Sequence, residues 1–322
     1  MRLGRVRHEG KYLAIKYFFE EKGWSISWMC KALEISRASY YKWLHREKPA
    51  LEAENEVIAA LITEYDERFC HILGYRRMRL WINHFNDTNY GKNRIHRIMK
   101  VLGIHSVIRK KKAKYINAPK EQFSDNILGR DFYAERPNEK WVTDVTEFKV
   151  PHEKKKVFLS AILDLYDRSV VAFELSGVNN NPLVFRTFDK AIAANPDARP
   201  VFHSDRGFQY TSAIFKTKLT DAGMTQSMSR VGHCIDNGPT EGFWGIVKSE
   251  MYCMYDIQDK GSLMNAISDY IHFYNYERFQ ERFGCQTPME VREAALRTDV
   301  PAAYPIAPNK RIAAYKARYS AT

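Results

Sequence analysis

Hydrophobic positions recur at helical spacing through the first third of the chain. The earliest three runs are KYLAIKYFFEEKG, SISWMCKALEI and SRASYYKWLHREK. Ser25 and Ser36 stand where helix N-caps belong, the turn at 33–35 is short, and the third run begins with polar and basic residues. This pattern predicts three short helices over residues 1–48 that include a helix-turn-helix motif, and it also fits an ordinary three-helix bundle.

A second helical unit is predicted over residues 49–108. Lys48, Pro49 and the acidic run LEAENE interrupt the periodicity and indicate a linker. Three more helical runs follow, NEVIAALITEYDERF, YRRMRLWINHF and GKNRIHRIMKVLG, and Gly103 is placed to end the last of them as its C′ residue. We therefore expect a second, basic, helix-turn-helix-like domain.

The pattern changes from helical to strand spacing at residue 137. The runs KWVTDVTEFKV, KKVFLSAILDLYD and RSVVAFELSG are separated by short polar breaks, which predicts an antiparallel meander. Helices at NPLVFRTFDKAIAAN and SAIFKTKLTDAG alternate with strands at PVFHSD and MTQSMSR, and two long helices follow. The predicted fold class is α/β with a mixed sheet over residues 137–280, after a basic linker at 109–136 and before a C-terminal segment and basic tail at 281–322.

Positive charge is concentrated in one part of the chain. The 322 residues carry a formal net charge of +12, and residues 71–120 hold thirteen Lys and Arg against one acid, Asp87. That segment alone accounts for the net charge, which is typical of a surface that binds a polyanion, although a merely solvated face is the alternative. The phosphate contacts that we expect come from Arg76, Arg77, Arg94 and Arg97 on helices, and from Lys110, Lys111 and Lys112 in the run IRKKKAKYINAPKEQ. That run is too charged to fold alone, and we expect it to track a backbone or to become ordered on binding.

The sequence argues against a membrane protein, a secreted protein and a protein built on disulfides or a zinc site. No apolar run approaches the roughly 18 residues of a membrane span, and the N-terminus has no apolar stretch followed by a small-residue cleavage site. We therefore expect a cytoplasmic, nucleoid-associated protein with no membrane partner. The five cysteines are widely spread without a CxxC pair, which favours reduced core thiols over a zinc site or disulfides.

Three carboxylates in unlike contexts are the strongest chemical signal. Asp144 lies on the first predicted strand, and Glu241 lies in the first turn of a predicted helix. Asp205 ends the strand PVFHSD, where Gly207 lets the chain turn and where α/β sheets usually place their ligands. Three elements thus deliver hard oxygen ligands of the kind that hold paired magnesium ions for phosphoryl chemistry on nucleic acid.

Periodicity sets two other acids apart from this set. Strand alternation puts Glu147 on the face opposite Asp144. Helical spacing turns Glu250 about 180° away from Glu241, whereas Lys248 returns to nearly the same face as Glu241, where it can pair with a DNA phosphate.

Three further acids are interpreted as structural. Asp164 and Asp167 end the second strand, and we expect them to serve as strand-end and turn residues. Asp236 begins the turn signature DNG, and we expect it to cap the helix that follows.

The runs around the three acids resemble a known family. WVTDVTEF, HSDRGFQYTS and SMSRVGHCIDNGPTEGFWGIVKSEMY closely resemble the catalytic blocks of bacterial insertion-sequence transposases of the DDE class, whose core is related to retroviral integrases. The runs YRRMRLWINHF and YIHFYNYERFQERFGCQTPMEVREA resemble further parts of that group, so the resemblance spans most of the chain. It implies a ribonuclease H-like core in which Asp144, Asp205 and Glu241 are the catalytic acids and bind two Mg²⁺ or Mn²⁺ ions. It also implies that Lys248 lies near the DNA end.

The resemblance further implies an activity and partners. The activity is cleavage of the ends of an insertion sequence followed by strand transfer in DNA transposition and integration. The partners are double-stranded DNA, other copies of the chain assembled on DNA, and an upstream-frame protein with a helix-turn-helix and a leucine zipper. The sequence has no sustained heptads, so we expect the upstream portion to be absent from it. A metal-dependent nuclease without strand transfer and a DNA-binding regulator with a vestigial core are the alternatives.

The chain departs from the pattern of that group at three positions. Arg206 stands where Gln is common, Phe208 where Ser is common, and Gly242 where Ser often follows the glutamate. None of these changes removes an acid, so we expect altered DNA contacts rather than lost activity. The zinc-binding HHCC arrangement of retroviral integrases has no counterpart in the sequence.

Overall fold

The chain divides into two compact units, each described here by itself. The computed structural model describes residues 8–47, 49–108, 126–151, 153, 155–230 and 234–306. The units are Met1–His105 and Ser106–Thr322. The boundaries between the five segments that we expect from the sequence remain predictions.

The first unit is helical. Its elements are α1 (Glu9–Lys22), α2 (Ile26–Ala32), α3 (Arg37–Leu44), α4 (Ala50–Arg68), α5 (Tyr75–Phe85) and α6 (Lys92–Leu102). Helices α1 to α3 enclose a small core that includes Tyr12, Ile15 and Tyr40. Ser25 caps α2 by accepting a hydrogen bond from the Trp28 amide, as predicted, whereas the Ser36 side chain makes no capping bond at α3.

Two sequence predictions at helix ends have opposite outcomes. Gly103 ends α6 with φ 73°, a left-handed conformation that glycine adopts without strain, so its predicted role is confirmed. The predicted linker at LEAENE is wrong, because α4 already begins at Ala50. An acid in the first turn favours a helix start through the helix dipole, and Glu52 occupies that turn and pairs with Arg46 at 2.7 Å.

The second unit is α/β, as predicted. Its strands are β1 (Lys140–Lys149), β2 (Lys156–Asp164), β3 (Val170–Ser176), β4 (Val201–Ser204) and β5 (Thr225–Met228). Its helices are α7 (Asn181–Ala194), α8 (Ala213–Asp221), α9 (Gly238–Met254), α10 (Lys260–Tyr276) and α11 (Pro288–Leu296), with a 3₁₀ turn at Cys234–Asn237 before α9.

The strands form one mixed sheet in the order β3-β2-β1-β4-β5. The strands β1, β2 and β3 pair antiparallel, so the predicted meander is confirmed, while β4 pairs parallel with both β1 and β5. This mixed sheet with flanking helices is the predicted ribonuclease H-like fold. The central strand β1 is long and extends beyond the end of the shorter β4.

Alternate residues of β1 face two different layers. Trp141 packs into a core with Phe188 of α7, Phe202 of β4 and Phe215 of α8. The opposite face carries Asp144 and contacts α9. The sheet is therefore buried on both faces, which holds its strand ends in fixed positions.

A buried ion network joins α11 to the sheet. The guanidinium of Arg292 lies 3.0 Å from Asp164 and 2.9 Å from Asp167, and both carboxylates are fully buried. The same carboxylates accept backbone hydrogen bonds from Tyr166 and Ser169, which confirms the predicted strand-end and turn roles. Sequence spacing carried no signal for Arg292, since it lies 128 residues from Asp164.

Cysteine placement corrects one expectation. The described cysteine side chains are free thiols, but only Cys30 is buried, while Cys253 is exposed. No helix in the described part of the chain is both long and apolar enough to cross a membrane.

Replacement of Arg292 by Met tests the buried network. Removal of the cation leaves two buried carboxylates without their partner, which should destabilise the protein by about 3–5 kcal/mol. Urea unfolding of the full chain measures this cost. Arg297→Met is the matched control, because Arg297 follows the same helix, its side chain is 78% exposed and it pairs with the exposed Glu293 at 3.3 Å. We expect the control to change stability by no more than about 0.5 kcal/mol, and equal effects of the two changes would contradict the assignment.

Candidate active site

The parallel pairing of β1 with β4 brings two of the three predicted acids together. Lys140 lies opposite Val201, and Val142 lies opposite His203. The same register places Asp144 opposite Asp205, which directly follows β4. Two carboxylates from distant parts of the sequence therefore lie side by side on neighbouring strands, at the carboxyl end of β4.

The Asp144 carboxylate is held by neutral donors. Its Oδ2 accepts a hydrogen bond from Nε1 of Trp244 at 2.9 Å, and its Oδ1 accepts one from the Val145 amide at 2.8 Å. Burial, followed by the negative charges of Asp205 and Glu241, raises the pKa of Asp144 to about 6, although both hydrogen bonds act in the opposite direction. The acid thus lies close enough to both other acids to be affected by their charge.

Asp205 is fixed by the turn that follows it. Its Oδ1 accepts a hydrogen bond from the Gly207 amide at 2.9 Å, and burial raises the pKa of its carboxyl group. A β-carbon at Gly207 would lie 3.0 Å from Asp205 Oδ1 and 2.9 Å from Gln209 Oε1. A β-carbon at this turn would therefore require the Gln209 and Asp205 side chains to shift.

Glu241 lies in the first turn of α9 and is exposed at the helix surface. Further along α9, the Trp244 indole reaches Asp144, and Lys248 Nζ donates to Thr146 Oγ1 at 2.6 Å. At the start of the helix, Asn237 Nδ2 donates to the Thr143 carbonyl at 3.1 Å. These contacts hold α9 along β1, so Glu241 is presented from a helix fixed to the strand that carries Asp144.

The donor set suits a hard divalent cation. Carboxylate oxygens are the preferred ligands of Mg²⁺, and neither Asp144 nor Asp205 forms an ion pair among the described residues. In the same described part of the chain, no three His, Cys, Asp or Glu side chains lie close enough together to hold a metal ion as they stand. Mutual repulsion between the carboxylates of Asp144 and Asp205 favours such separation, and a bound cation would offset it.

Lys248 contacts β1 beyond Asp144, and its predicted pairing with a DNA phosphate remains a prediction. Its ammonium lies 5.3 Å from the ring centroid of Phe148 in addition to its contact with Thr146. Both partners follow Asp144 at two-residue steps on the same face of β1. The positive charge therefore lies along the face of β1 that carries Asp144.

Glu147 and Glu250, which periodicity excluded from the acid site, form ion pairs away from it. Glu147 pairs with Lys156 at 2.7 Å on the exposed side of the β1–β2 hairpin. Glu250 is buried, pairs with Arg278 at 2.9 Å and accepts a hydrogen bond from the Tyr270 hydroxyl at 2.8 Å. Both exclusions are confirmed.

The predicted capping role of Asp236 is wrong. Asp236 is fully buried between Arg130, at 2.5 Å, and Arg230, at 2.9 Å, and α9 has no side-chain cap. Burial alone would raise the pKa of this carboxyl group, but the hydrogen bonds from Arg230 and Arg130 lower it to about 2. An ion-paired acid of this kind fixes the chain immediately before α9.

The helical basic residues predicted to contact phosphate differ in their surroundings. Arg76 and Arg97 are exposed, while Arg77 donates to the Ile72 carbonyl at 2.8 Å. Arg94 is engaged within its unit, since it pairs with Glu54 at 2.7 Å. Lys110, Lys111 and Lys112 lie outside the described residues. All these DNA contacts remain predictions.

Sequence reasoning missed Trp244 and Asn237. Trp244 follows Glu241 by three residues, a helical spacing that places both on one side of α9. This spacing could have indicated that Trp244 lies near the acid site. Asn237 was treated only as part of a turn, and no sequence pattern indicated its contact with Thr143. Beside the site, Arg206 donates to the Ser229 carbonyl at 2.7 Å, and Phe208 is 58% exposed.

Comparisons with known protein families cover most of the chain. Residues 134–234 and residues 241–296 each match a family described as an integrase core domain. Residues 52–112 match an HTH-like domain. The two integrase matches lie in the α/β unit and together include all three acids.

Known proteins are similar over long stretches. InsK, assigned as the transposase of insertion sequence element IS150 in Escherichia coli (strain K12), is 35% identical over 267 residues, 82% of this chain and 92% of InsK. A transposase-like protein of Haemophilus influenzae (strain ATCC 51907 / DSM 11121 / KW20 / Rd) is 36% identical over 203 residues, 63% of this chain and 93% of that protein. Among solved structures, the HTLV-2 integrase catalytic core domain in complex with magnesium has a TM-score of 0.37 and 22% identity, over 48% of this chain and 94% of that chain.

The raised pKa of Asp144 predicts a pH-dependent effect of Asp144→Asn on the metal-free protein. The folded state holds the proton more tightly than the unfolded chain, whose carboxyl has its ordinary value of 3.8, so ionisation of the folded protein costs stability as the pH rises from that value through about 6. The variant should therefore be more stable than the parent by up to about 3 kcal/mol at pH 7.5 and by only about 1 kcal/mol at pH 4.5.

Urea unfolding in the presence of a chelator at both pH values measures this difference. Glu147→Gln is the control, since Glu147 is exposed and ion-paired on the other face of β1. A stability gain that does not change between the two pH values would contradict the prediction.

Proposed function

We propose a chemistry for the acid site from one premise: this chain belongs to the family of insertion-sequence transposases with an integrase core domain. It is a DNA transposase with a polynucleotidyl transferase core. We infer that Asp144, Asp205 and Glu241 are its catalytic acids and that they act on the phosphodiester bonds at the ends of the element.

One contrast within the α/β unit carries this proposal. The fully buried acids in the described part of this unit are each paired with arginine: Asp164 and Asp167 with Arg292, Asp236 with Arg130 and Arg230, and Glu250 with Arg278. Asp144 and Asp205 are half-buried, and among the described residues they accept hydrogen bonds only from neutral donors. Uncompensated carboxylates held side by side are costly unless a cation completes the site, which supports a metal-binding role.

The three acids would hold two divalent ions, Mg²⁺ or Mn²⁺. When bound, such ions supply charge stabilisation at the phosphoryl group and activation of the attacking oxygen. Asp144 lies on β1 and Asp205 directly after β4, in the packed sheet. Glu241 would add its carboxylate from the first turn of α9. Lys248 would exchange its contact with Thr146 for a DNA phosphate and so orient the strand to be cut.

The reaction that we propose has two stages at this one site. Water first cleaves the DNA and frees a 3′-hydroxyl at the element's end, and this hydroxyl then attacks a second strand. No side chain of the protein needs to form a covalent bond to DNA. The HTH-like domain and the basic stretch that includes Lys110, Lys111 and Lys112 would hold double-stranded DNA. We propose that several copies of the chain assemble on this DNA, together with an upstream-frame protein.

Substitution of the acids tests the site. Asp144→Asn, Asp205→Asn and Glu241→Gln should each reduce Mg²⁺-dependent cleavage and strand transfer by at least about a thousandfold, because each removes a ligand charge from the reacting centre. Binding to the same DNA, measured by fluorescence anisotropy, should change little. The assay uses DNA ends that flank the gene, both intact and pre-cleaved, so that joining is measured separately from cutting.

Glu147→Gln is the matched control for these variants. It removes an acid from the same strand three residues beyond Asp144, on the opposite face, and should leave both reactions at the parental rate. Full cleavage by any of the three acid variants would reject the site, while cleavage without joining by the parent protein would indicate a nuclease.

The basic stretch is tested by the salt dependence of DNA binding. Combined replacement of Lys110, Lys111 and Lys112 by Gln should lower the slope of log affinity against log salt by roughly 0.9 for each phosphate that the protein no longer neutralises. The matched control replaces Lys190 and Lys218 by Gln, because these lysines are ion-paired with Glu174 and Asp189 in the α/β unit. An unchanged slope in the triple variant would show that this stretch does not touch the DNA backbone.

A further inference from the structure

Trp244 is the one side chain among the described residues that hydrogen-bonds to the Asp144 carboxylate. Its indole Nε1 lies 2.9 Å from Oδ2, and the Trp244 side chain is buried, with 6% of its surface exposed. The second oxygen, Oδ1, accepts from the Val145 amide of its own strand. The orientation of the carboxylate is therefore set by one donor from β1 and one from α9.

The indole is chemically suited to support an ion ligand. It donates a hydrogen bond but cannot accept one, so it neither competes for the cation nor ligates it. Each carboxylate oxygen keeps a further lone pair after accepting one hydrogen bond. Both oxygens of Asp144 thus remain available to a divalent ion while the carboxylate is held in place.

The bond also relates two of the proposed ligands to each other. Trp244, Lys248 and Tyr252 lie on one face of α9 and contact β1 in order along the strand. They contact Asp144, Thr146 and the Lys149 carbonyl respectively. From Trp244 to Lys248 the helix rises about 6 Å, and from Asp144 to Thr146 the strand rises about 6.6 Å, so the helix and the strand advance together over this step. The Trp244 contact is the one of these three that lies nearest to Glu241.

We propose that Trp244 is a positioning residue of the divalent-ion site, whose indole N–H fixes both the Asp144 carboxylate and the placement of Glu241 relative to it. This inference rests on the proposed function, in which Asp144 and Glu241 bind the ion. Groups that orient metal ligands typically contribute tenfold to a hundredfold to metal affinity. Trp244 should therefore affect how tightly the ion binds more than how stable the fold is.

Trp244→Phe removes the donor and keeps an aromatic ring beside Phe243, whose ring centroid lies 5.0 Å away. We expect the Kd for Mn²⁺, measured by titration calorimetry on the full chain without DNA, to rise about tenfold. The Mg²⁺ midpoint for cleavage should rise by a similar factor, and most of the rate should return at saturating Mg²⁺. The melting temperature in chelator should fall by only a few degrees.

The sheet offers a matched control. Trp141 lies on the same strand but faces the other side, and its Nε1 donates to the buried carboxylate of Asp164 at 3.2 Å. Trp141→Phe removes the same kind of bond away from the site. We expect it to lower the melting temperature at least as much as Trp244→Phe and to leave the Mn²⁺ affinity at the parental value.

The possible results separate this inference from the proposed function. An unchanged Mn²⁺ affinity in Trp244→Phe, with binding lost in Asp144→Asn, would overturn the role of Trp244 alone. Equal losses of affinity in both tryptophan variants would also overturn it, because general destabilisation would then explain them. Parental Mn²⁺ binding by Asp144→Asn would reject the ion site itself.

Discussion

Parallel pairing between β1 and β4 forces two carboxylates, Asp144 and Asp205, into neighbouring positions at the carboxyl end of β4. Like charges in a partly buried setting repel, and the rest of the α/β unit keeps them in place. Aromatic side chains such as Phe188 and Phe202 pack one face of the sheet, and α9 covers the other. The packing energy of this scaffold offsets the cost of holding the acids together.

The treatment of charge distinguishes the site from its surroundings. Where the α/β unit fully buries an acid, the described residues supply an arginine, as Arg292 does for Asp164 and Asp167. Among the described residues, Asp144 and Asp205 receive only an indole N–H and backbone amides. Carboxylates that these residues leave without a positive partner can be neutralised by a divalent cation, which in turn can bind a DNA phosphate.

Helix α9 connects the acids to the rest of the chain. It carries Glu241, reaches Asp144 through Trp244, and follows the turn in which Asp236 is fixed by Arg130 and Arg230. Arg130 lies a short distance after the basic stretch that we expect to contact DNA. Arg130 and the turn that precedes α9 are therefore joined through the same buried carboxylate.

Local pattern was sufficient to predict much of this molecule. Strand alternation separated Asp144 from Glu147, helical spacing separated Glu241 from Glu250, and the meander followed from three runs with short breaks. The family resemblance selected Asp144, Asp205 and Glu241 as the set. These conclusions could be drawn from sequence because periodicity and short motifs are properties of neighbouring residues.

Long-range pairing was decided by the tertiary structure alone. Asp236, predicted as a cap, became the centre of an ion network. The contact of Trp244 with Asp144 joins residues 100 positions apart, and that of Arg292 with Asp164 joins residues 128 apart. The sequence determined which residues could carry the chemistry, but only folding decided which donors face each acid, because the free energy of a buried charge depends on neighbours that sequence spacing does not specify.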